Sequence, residues 1–335
     1  MKPLFAAALC AASCLLMAGA SRAEAIKIGA VKTGASGVVF IAQEKGYFAA
    51  EGVPAELVYF ESAQPIAVAA ASGAIDFGVT APTGGLYNLA GQGALKIISG
   101  GVLEAPGFKG AGYLVSTNAY AAGLHTLKDF AGHSFGVSQI GSPPHYALGL
   151  LADKEGFDIH GLRIVPLQSI PNIASALSGG QIDATILTNS PSIDPKVESG
   201  EIKRLGWVGD ETPWQFNLTF TSTKTADERA DTIRRFLRAY LHAARDYHDA
   251  FTGADGKETL GPGSAALLAI MAKYLGQSID AVKLGIGYND PEERLDVKDV
   301  MHQVDWFKAQ GMLKTDATGA DMIDKRYAVA LPGRD

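Results

Sequence analysis

The 335-residue sequence predicts an α/β protein of two matched lobes. Three observations carry that prediction. The chain says the same thing twice: GAIDFGVTAPT at Gly73–Thr83 and GQIDATILTNSPS at Gly180–Ser192 both run Gly-x-Ile-Asp, an apolar segment, Thr and a nearby Pro. The match extends upstream, with Lys45-Gly46-Tyr47-Phe48 answered by Lys154-Glu155-Gly156-Phe157, Gly52-Val53 by Gly161-Leu162 and Pro65 by Pro171, the spacing drifting only between 106 and 110 residues. Within each copy, short β-rich runs alternate with helical patterns, the grammar of a parallel sheet with helical crossovers.

The elements follow in order. A first strand (Ile26–Val31; Ser134–Ser138) ends in a Gly/Ser loop, and a helical run follows (Val38–Ala42; Tyr146–Leu151), stopped by Gly. A second strand (Ala55–Phe60; Arg163–Leu167) leads to a small-residue helix (Pro65–Ser72; Ile173–Ser178) ended by Gly73 or Gly179-Gly180. The third strand carries the Ile-Asp pair (Ile75–Val79; Ile182–Leu187). Residues 24–115 and 222–335 are expected to form lobe 1 and residues 120–213 lobe 2, with crossing segments at about 113–119 and 214–222. Past the second crossing the chain reads as helical. Thr225-Ala226-Asp227-Glu228 has the form of a capping box, and Ile233, Phe236, Leu237, Tyr240, Leu241 and Ala244 keep one apolar face. Ala265–Leu275 and Val297–Gln310 read as further helices completing lobe 1.

Residues 1–23 read as a secretory signal peptide: Lys2, an apolar run from Leu4 to about Ala18, then small residues. The run is short for a spanning helix, the alternative reading. Cys10 and Cys14 both fall inside it, so the mature chain would have no disulfide, thiol nucleophile or Cys-bound metal. Removal of Lys2 and Arg22 takes the formal charge from −6 to −8, and such a chain offers no basic field to nucleic acid. An acidic, exported, monomeric protein is expected.

In an open parallel sheet ligands bind beyond the carboxyl ends of the strands. The duplication therefore names four loops: Lys32–Gly37, Thr80–Gly84, Gln139–His145 and Thr188–Ser192. They are rich in hydroxyls and glycine and poor in charge. The candidate contacts for a small-molecule ligand are Thr33, Ser36, Thr80, Thr83, Ser138, Gly141, Ser142, His145 and Asn189, with Trp214 at the second crossing. Ser142-Pro143 suits a helix N-cap followed by Pro, and helix N-termini hold anions without a full cation. The same residues also simply start helices. Trp214 suits stacking on a flat ligand or packing in the hinge, and His145 suits donation to an anion or a plain helix surface. Asp76 and Asp183 fall at the far end of the strands and read as structural acids.

Enzyme signals are weak. The seven His are scattered without HExxH-type spacing, and there is no GxSxG, P-loop or dinucleotide fingerprint. No metal or cofactor is expected.

The segments IAQEKGYFAAEGV, ASGAIDFGV, TLKDFAGHSFGV and ALSGGQIDATIL resemble the solute-binding proteins of alkanesulfonate-, taurine-, nitrate- and thiamine-pyrimidine-type ABC importers. The resemblance runs from about Ile26 to Phe307. It implies a type II periplasmic-binding fold, closure of two lobes on a ligand, and delivery to an inner-membrane ABC permease. By motif position it implies ligand contacts at Thr33, Ser36, Thr80, Thr83, Ser142 and Asn189. A small anionic solute, a sulfonate or carboxylate, is expected. A neutral heteroaromatic such as a thiamine pyrimidine precursor is the alternative, and an enzyme or sensor reusing the fold is another. The iron-binding, Cys-rich motif of the branch that synthesises thiamine pyrimidine is missing.

Overall fold

The strands run in chain order as β1 (Ile26–Val31), β2 (Ala55–Phe60), β3 (Phe77–Thr80), β4 (Leu95–Ser99), β5 (Val102–Glu104), β6 (Ala111–Ser116), β7 (Ser134–Val137), β8 (Arg163–Pro166), β9 (Ala184–Thr188), β10 (Ile202–Trp207), β11 (Trp214–Gln215), β12 (Leu218–Ser222) and β13 (Tyr288–Asn289). They are seen in a computed structural model that describes residues 25–335; the expected signal segment, 1–23, lies outside the described residues.

Two five-stranded sheets share one plan. The first has the order β2-β1-β3-β12-β4 and the second β8-β7-β9-β6-β10. In each, the first three strands of the repeat are parallel. The fourth sheet position is an antiparallel strand donated after the chain has visited the other lobe or is about to: β12 in the first sheet, β6 in the second.

The duplicated phrase has a physical basis. A Cβ on Gly29 would run into Ile75, Ile66 and Phe60, and one on Gly136 into Ile182, Ile173 and Leu167. Every member of the second set lies 107 residues after its counterpart. Glycine on the first strand therefore lets the helix and the Ile just before the third strand sit directly on the sheet. The aspartates match as well. Asp76 accepts from the Lys27 amide (2.7 Å) and Asp183 from the Ser134 amide (2.8 Å), each tying the third-strand entrance to the start of the first strand. The Ile-Asp pair therefore lies in the turn just before β3 and β9, not within the strands as expected. Gly73 and Gly180 open these turns with φ of 77° and 69°, a region that costs glycine nothing.

The crossing segments also differ from expectation. Tyr113–Ser116 is an inner strand of the second sheet, paired on both sides, and Leu218–Ser222 is already an inner strand of the first. Between the lobes sits a small sheet, β11-β5-β13, in which Trp214 pairs with Glu104 and Tyr288 with Leu103. The strand-like runs Tyr113–Val115 and Trp214–Thr221 are legible in the sequence, but which sheet each joins is not.

The chain after β12 packs mainly on the first lobe. Ser222 caps the helix Thr223–Glu228 by accepting from the Thr225 amide, so Thr225 is an interior residue and the expected box does not form. Helix Ala230–Phe251 buries Ile233, Phe236, Tyr240 and Ala244 against Phe40, Phe48 and Phe77, with Leu237 half-buried. Helix Val297–Ala309 does more than complete lobe 1. Its Trp306 lies edge-on to Tyr146 at 5.4 Å and covers Gly149, both on the lobe 2 helix Pro143–Glu155. Its Gln303 and Asp299 hold the backbone of the hinge residue Gln215. This helix straps both lobes to the hinge.

Candidate ligand-binding cleft

The carboxyl ends of β1, β3, β7 and β9 face one another across a cleft enclosing about 660 Å³, its mouth included. Of the ten sequence candidates, Thr33, Ser36, Thr80, Ser138 and Trp214 line it. Ser36 spends its hydroxyl on the Val31 carbonyl (2.7 Å). Trp214 packs edge-on against Tyr146 and Phe216, with ring centroids 5.0 and 5.3 Å away, so it is both a hinge residue and a cleft wall.

The other five candidates lie behind the wall. Thr83 caps helix Gly84–Gly91 by accepting from the Leu86 amide and donates to Gln64 Oε1. His145 is buried, accepts from the Gly141 amide at Nδ1 (3.1 Å) and meets Trp306 edge-on. Burial, followed by the charge of His160, pushes its pKa down to about 4, so it is a neutral loop brace and not a cation for a ligand. Ser142 is fully buried, its hydroxyl without a protein partner. Gly141 and Asn189 are clasps. The Gly84 amide donates to the Gly141 carbonyl (2.8 Å), and the Gly34 amide to the Asn189 carbonyl (3.2 Å). Gly34 and Gly141 are 107 residues apart, so the two main-chain bonds cross the cleft in a quasi-twofold arrangement. A third link is Gln277 Nε2 donating to Asp194 (2.6 Å). Burial pushes the Asp194 carboxyl up to about 6 against the opposing effects of that bond and of the Arg204 charge.

Residues missed in the sequence include Ser62 and Ala63 after β2, Ile170 after β8, and Phe216 and Asn217 in the hinge. The helices after β2 and β8 start at Ala63 and Ile170, two to three residues earlier than Pro65 and Ile173 suggested, so their N-termini reach the cleft. The available signal was the matched pair Ser62 and Ser169, both N-cap residues and 107 apart.

Among the described residues the lining is apolar apart from hydroxyls, Asn217 and the unpartnered Trp214 indole N–H, and contains no ionisable side chain. Thr33, Ser62, Thr80, Ser138 and Thr188 are each at most 8% exposed, and their side chains make no hydrogen bond among the described residues. These five hydroxyls open onto the cleft from both lobes. Among the described residues no group of three or more His, Asp or Glu could hold a metal ion, and no helix is long and apolar enough to cross a membrane.

Two lobes clasped over a hydroxyl-lined cleft, joined by a narrow hinge sheet, define the class: this is the fold of periplasmic solute-binding proteins. Superposition on solved structures agrees. The alkanesulfonate-binding protein SsuA from Xanthomonas axonopodis pv. citri, bound to MOPS, matches with a TM-score of 0.70 and 19% identity, over 89% of this chain and 97% of that one. The periplasmic aliphatic sulphonate-binding protein SsuA from Escherichia coli matches with 0.68 and 18%, over 93% and 95%. The nitrate-binding protein NrtA from Synechocystis PCC 6803 matches with 0.65 and 14%, over 88% and 84%. An enzyme shares the fold too: the desulfurization enzyme DSZB, with 0.58 and 15%, over 91% and 96%. No curated protein sequence matches the chain. The NMT1/THI5-like family model matches residues 35–250, and the chain belongs to that family.

Proposed function

We propose that this protein is the exported solute-binding component of an ABC importer, a monomer that captures a small anionic organic solute between its lobes and delivers it to an inner-membrane permease. The observation that carries this reading is the set of five buried, unpartnered hydroxyls in a cleft closed by main-chain bonds from both lobes. Hydroxyls and helix N-termini supply donors to an oxyanion without a lysine or arginine. The apolar walls, Ile173, Ile186, Pro144 and Phe216 among them, suit an organic body. The lobe division proposed moves the expected bounds to a first lobe of about 24–101 and 218–335 and a second of about 111–213, because β6 is an inner strand of the second sheet and β12 of the first, with the hinge at β5 and β11. Export rests on the signal-like segment 1–23 and on the periplasmic relatives.

A thermal-shift panel of alkane- and arylsulfonates, aromatic carboxylates, nitrate and pyrimidines tests the reading, because a ligand that binds only the folded state raises its melting temperature. One anionic class should shift it. No shift with any class would sink the reading. A second reading, a neutral heteroaromatic ligand, is favoured by the lack of any ionisable side chain in the lining, and pyrimidines alone shifting the melting point would select it. Turnover of the bound compound would mark the protein as an enzyme on the same fold.

A further inference from the structure

The two lobes repeat one another, yet their second helices end differently at the cleft. In lobe 2 every donor at the start of helix Ile170–Ser178 is taken or absent. The Ile170 amide faces the Glu61 carbonyl (3.5 Å), residue 171 is proline, and the Asn172 amide donates to Ser169 Oγ (3.3 Å). In lobe 1 the matching helix, Ala63–Ala71, begins open. Ser62 occupies the N-cap position but makes no side-chain cap bond, and the amides of Ala63 and Gln64 have no partner among the described residues. Ser62 is 6% exposed, lines the cleft and leaves its hydroxyl free. The turn is held from behind, where Gln64 Oε1 accepts from Thr83 and the Gln64 side chain lies over Gly85.

Lobe 2 shows the opposite chemistry at its other helix end. Residues 143 and 144, the first two positions of helix Pro143–Glu155, are both proline, which removes two amide donors and presents ring carbons to the cleft. Free main-chain donors at helix starts therefore lie on the lobe 1 side, while lobe 2 offers the Ser138 and Thr188 hydroxyls beside its proline rings. A helix N-terminus with unbonded amides and a free hydroxyl is suited to an oxyanion.

We propose that the Ser62-Ala63-Gln64 turn is the oxyanion subsite of the cleft. It takes a sulfonate or carboxylate head through Ser62 Oγ and the Ala63 and Gln64 amides, while the organic body lies toward Pro143, Pro144 and Ile173. This rests on the reading of the cleft as the site of an anionic solute.

The test titrates benzenesulfonate, benzoate and neutral benzamide calorimetrically into wild type, Ser62→Ala, Ala63→Pro and the control Ser72→Ala. Ala63 is the first helical position, where proline is accepted, and Ser62 is extended (φ −162°, ψ 170°), as a residue before proline must be. Ala63→Pro thus deletes one N–H and little else. Ser62→Ala and Ala63→Pro should each weaken both anions about tenfold and leave benzamide within about twofold, while Ser72→Ala, at the exposed far end of the same helix, leaves all three unchanged. Should Ala63→Pro fail to fold by circular dichroism, Ser62→Ala alone decides. Anion binding by the wild type that both variants retain in full would overturn the subsite and spare the anionic reading. Wild-type protein that binds neither anion would overturn that reading, and the subsite with it.

Discussion

Asp76 and Asp183 hold the same joint in the two lobes. Asp183 accepts from the amide and hydroxyl of Ser134 at 2.8 and 2.7 Å, and these bonds, with burial opposing them, keep its carboxyl below the usual range. Asp76 accepts from the Lys27 amide and pairs with Arg229. Asp183→Ala leaves the Ser134 amide unpaired, so we expect a loss of about 1–3 kcal/mol in chemical denaturation. Affinity for any cleft ligand should hold, because the site is at the opposite strand ends. Glu104 in the hinge sheet behaves differently. It is buried, its Oε1 accepts from the Ala111 amide (2.8 Å) and its Oε2 has no partner, so burial pushes its pKa up to about 8. The folded state holds this proton more tightly than the unfolded one. Its contribution to stability is full below about pH 4.5 and is lost as pH rises through about 8. Glu104→Gln should match wild type near pH 5 and melt above it at pH 8.5; a difference that does not change with pH would contradict the burial argument. At this scale the structural acids were legible because the repeat placed both at strand entrances. The roles of His145 and Asn189 were not, because a loop residue beside a cleft and one behind its wall have the same sequence neighbourhood.

Among the elements, the strands and first helices were readable because apolar periodicity and glycine stops recur in both copies. What was not readable was where helices begin by two or three residues. Pro65 and the apolar Ile173 pulled the expected starts inward, and with them the N-termini of the helices after β2 and β8 dropped out of the predicted site. The membership of β6 and β12 was hidden for another reason: a buried strand reads alike in either sheet. The helix Val297–Ala309 read as an amphipathic helix, but its second contact, Trp306 over Gly149, pairs residues 157 apart in the chain. The clasp between loops permits a clean test. Gly84 is the first residue of its helix and Thr83 before it is extended (φ −133°, ψ 158°), so Gly84→Pro removes the N–H that reaches the Gly141 carbonyl while the helix tolerates the ring. A net hydrogen bond contributes about 0.5–1.5 kcal/mol, so cleft affinity should fall about two- to tenfold. Melting temperature without ligand should move little, which thermal unfolding and titration check together.

At the scale of the whole molecule, two lobes of one plan meet through a narrow hinge sheet, a strapping helix and a quasi-twofold pair of main-chain bonds. That arrangement is closed, and opening it must break the clasps while the hinge pairing of Trp214 with Glu104 persists. A ligand shifts the balance between open and closed only as far as it prefers the closed form. Small-angle scattering should therefore show compaction when the cleft is saturated, and an unchanged radius of gyration would count against closure. The repeat made the two-lobed plan legible from the sequence, but the chemical polarity of the cleft was not, since it arises from which donors the fold leaves unpaired. The most direct measurement is a crystal structure of the protein with the strongest compound from the thermal panel. The account predicts that compound enclosed between the lobes, within hydrogen-bond reach of Ser62 or of Thr33, Thr80, Ser138 or Thr188; the compound bound on an outer face, with the cleft empty, would contradict it.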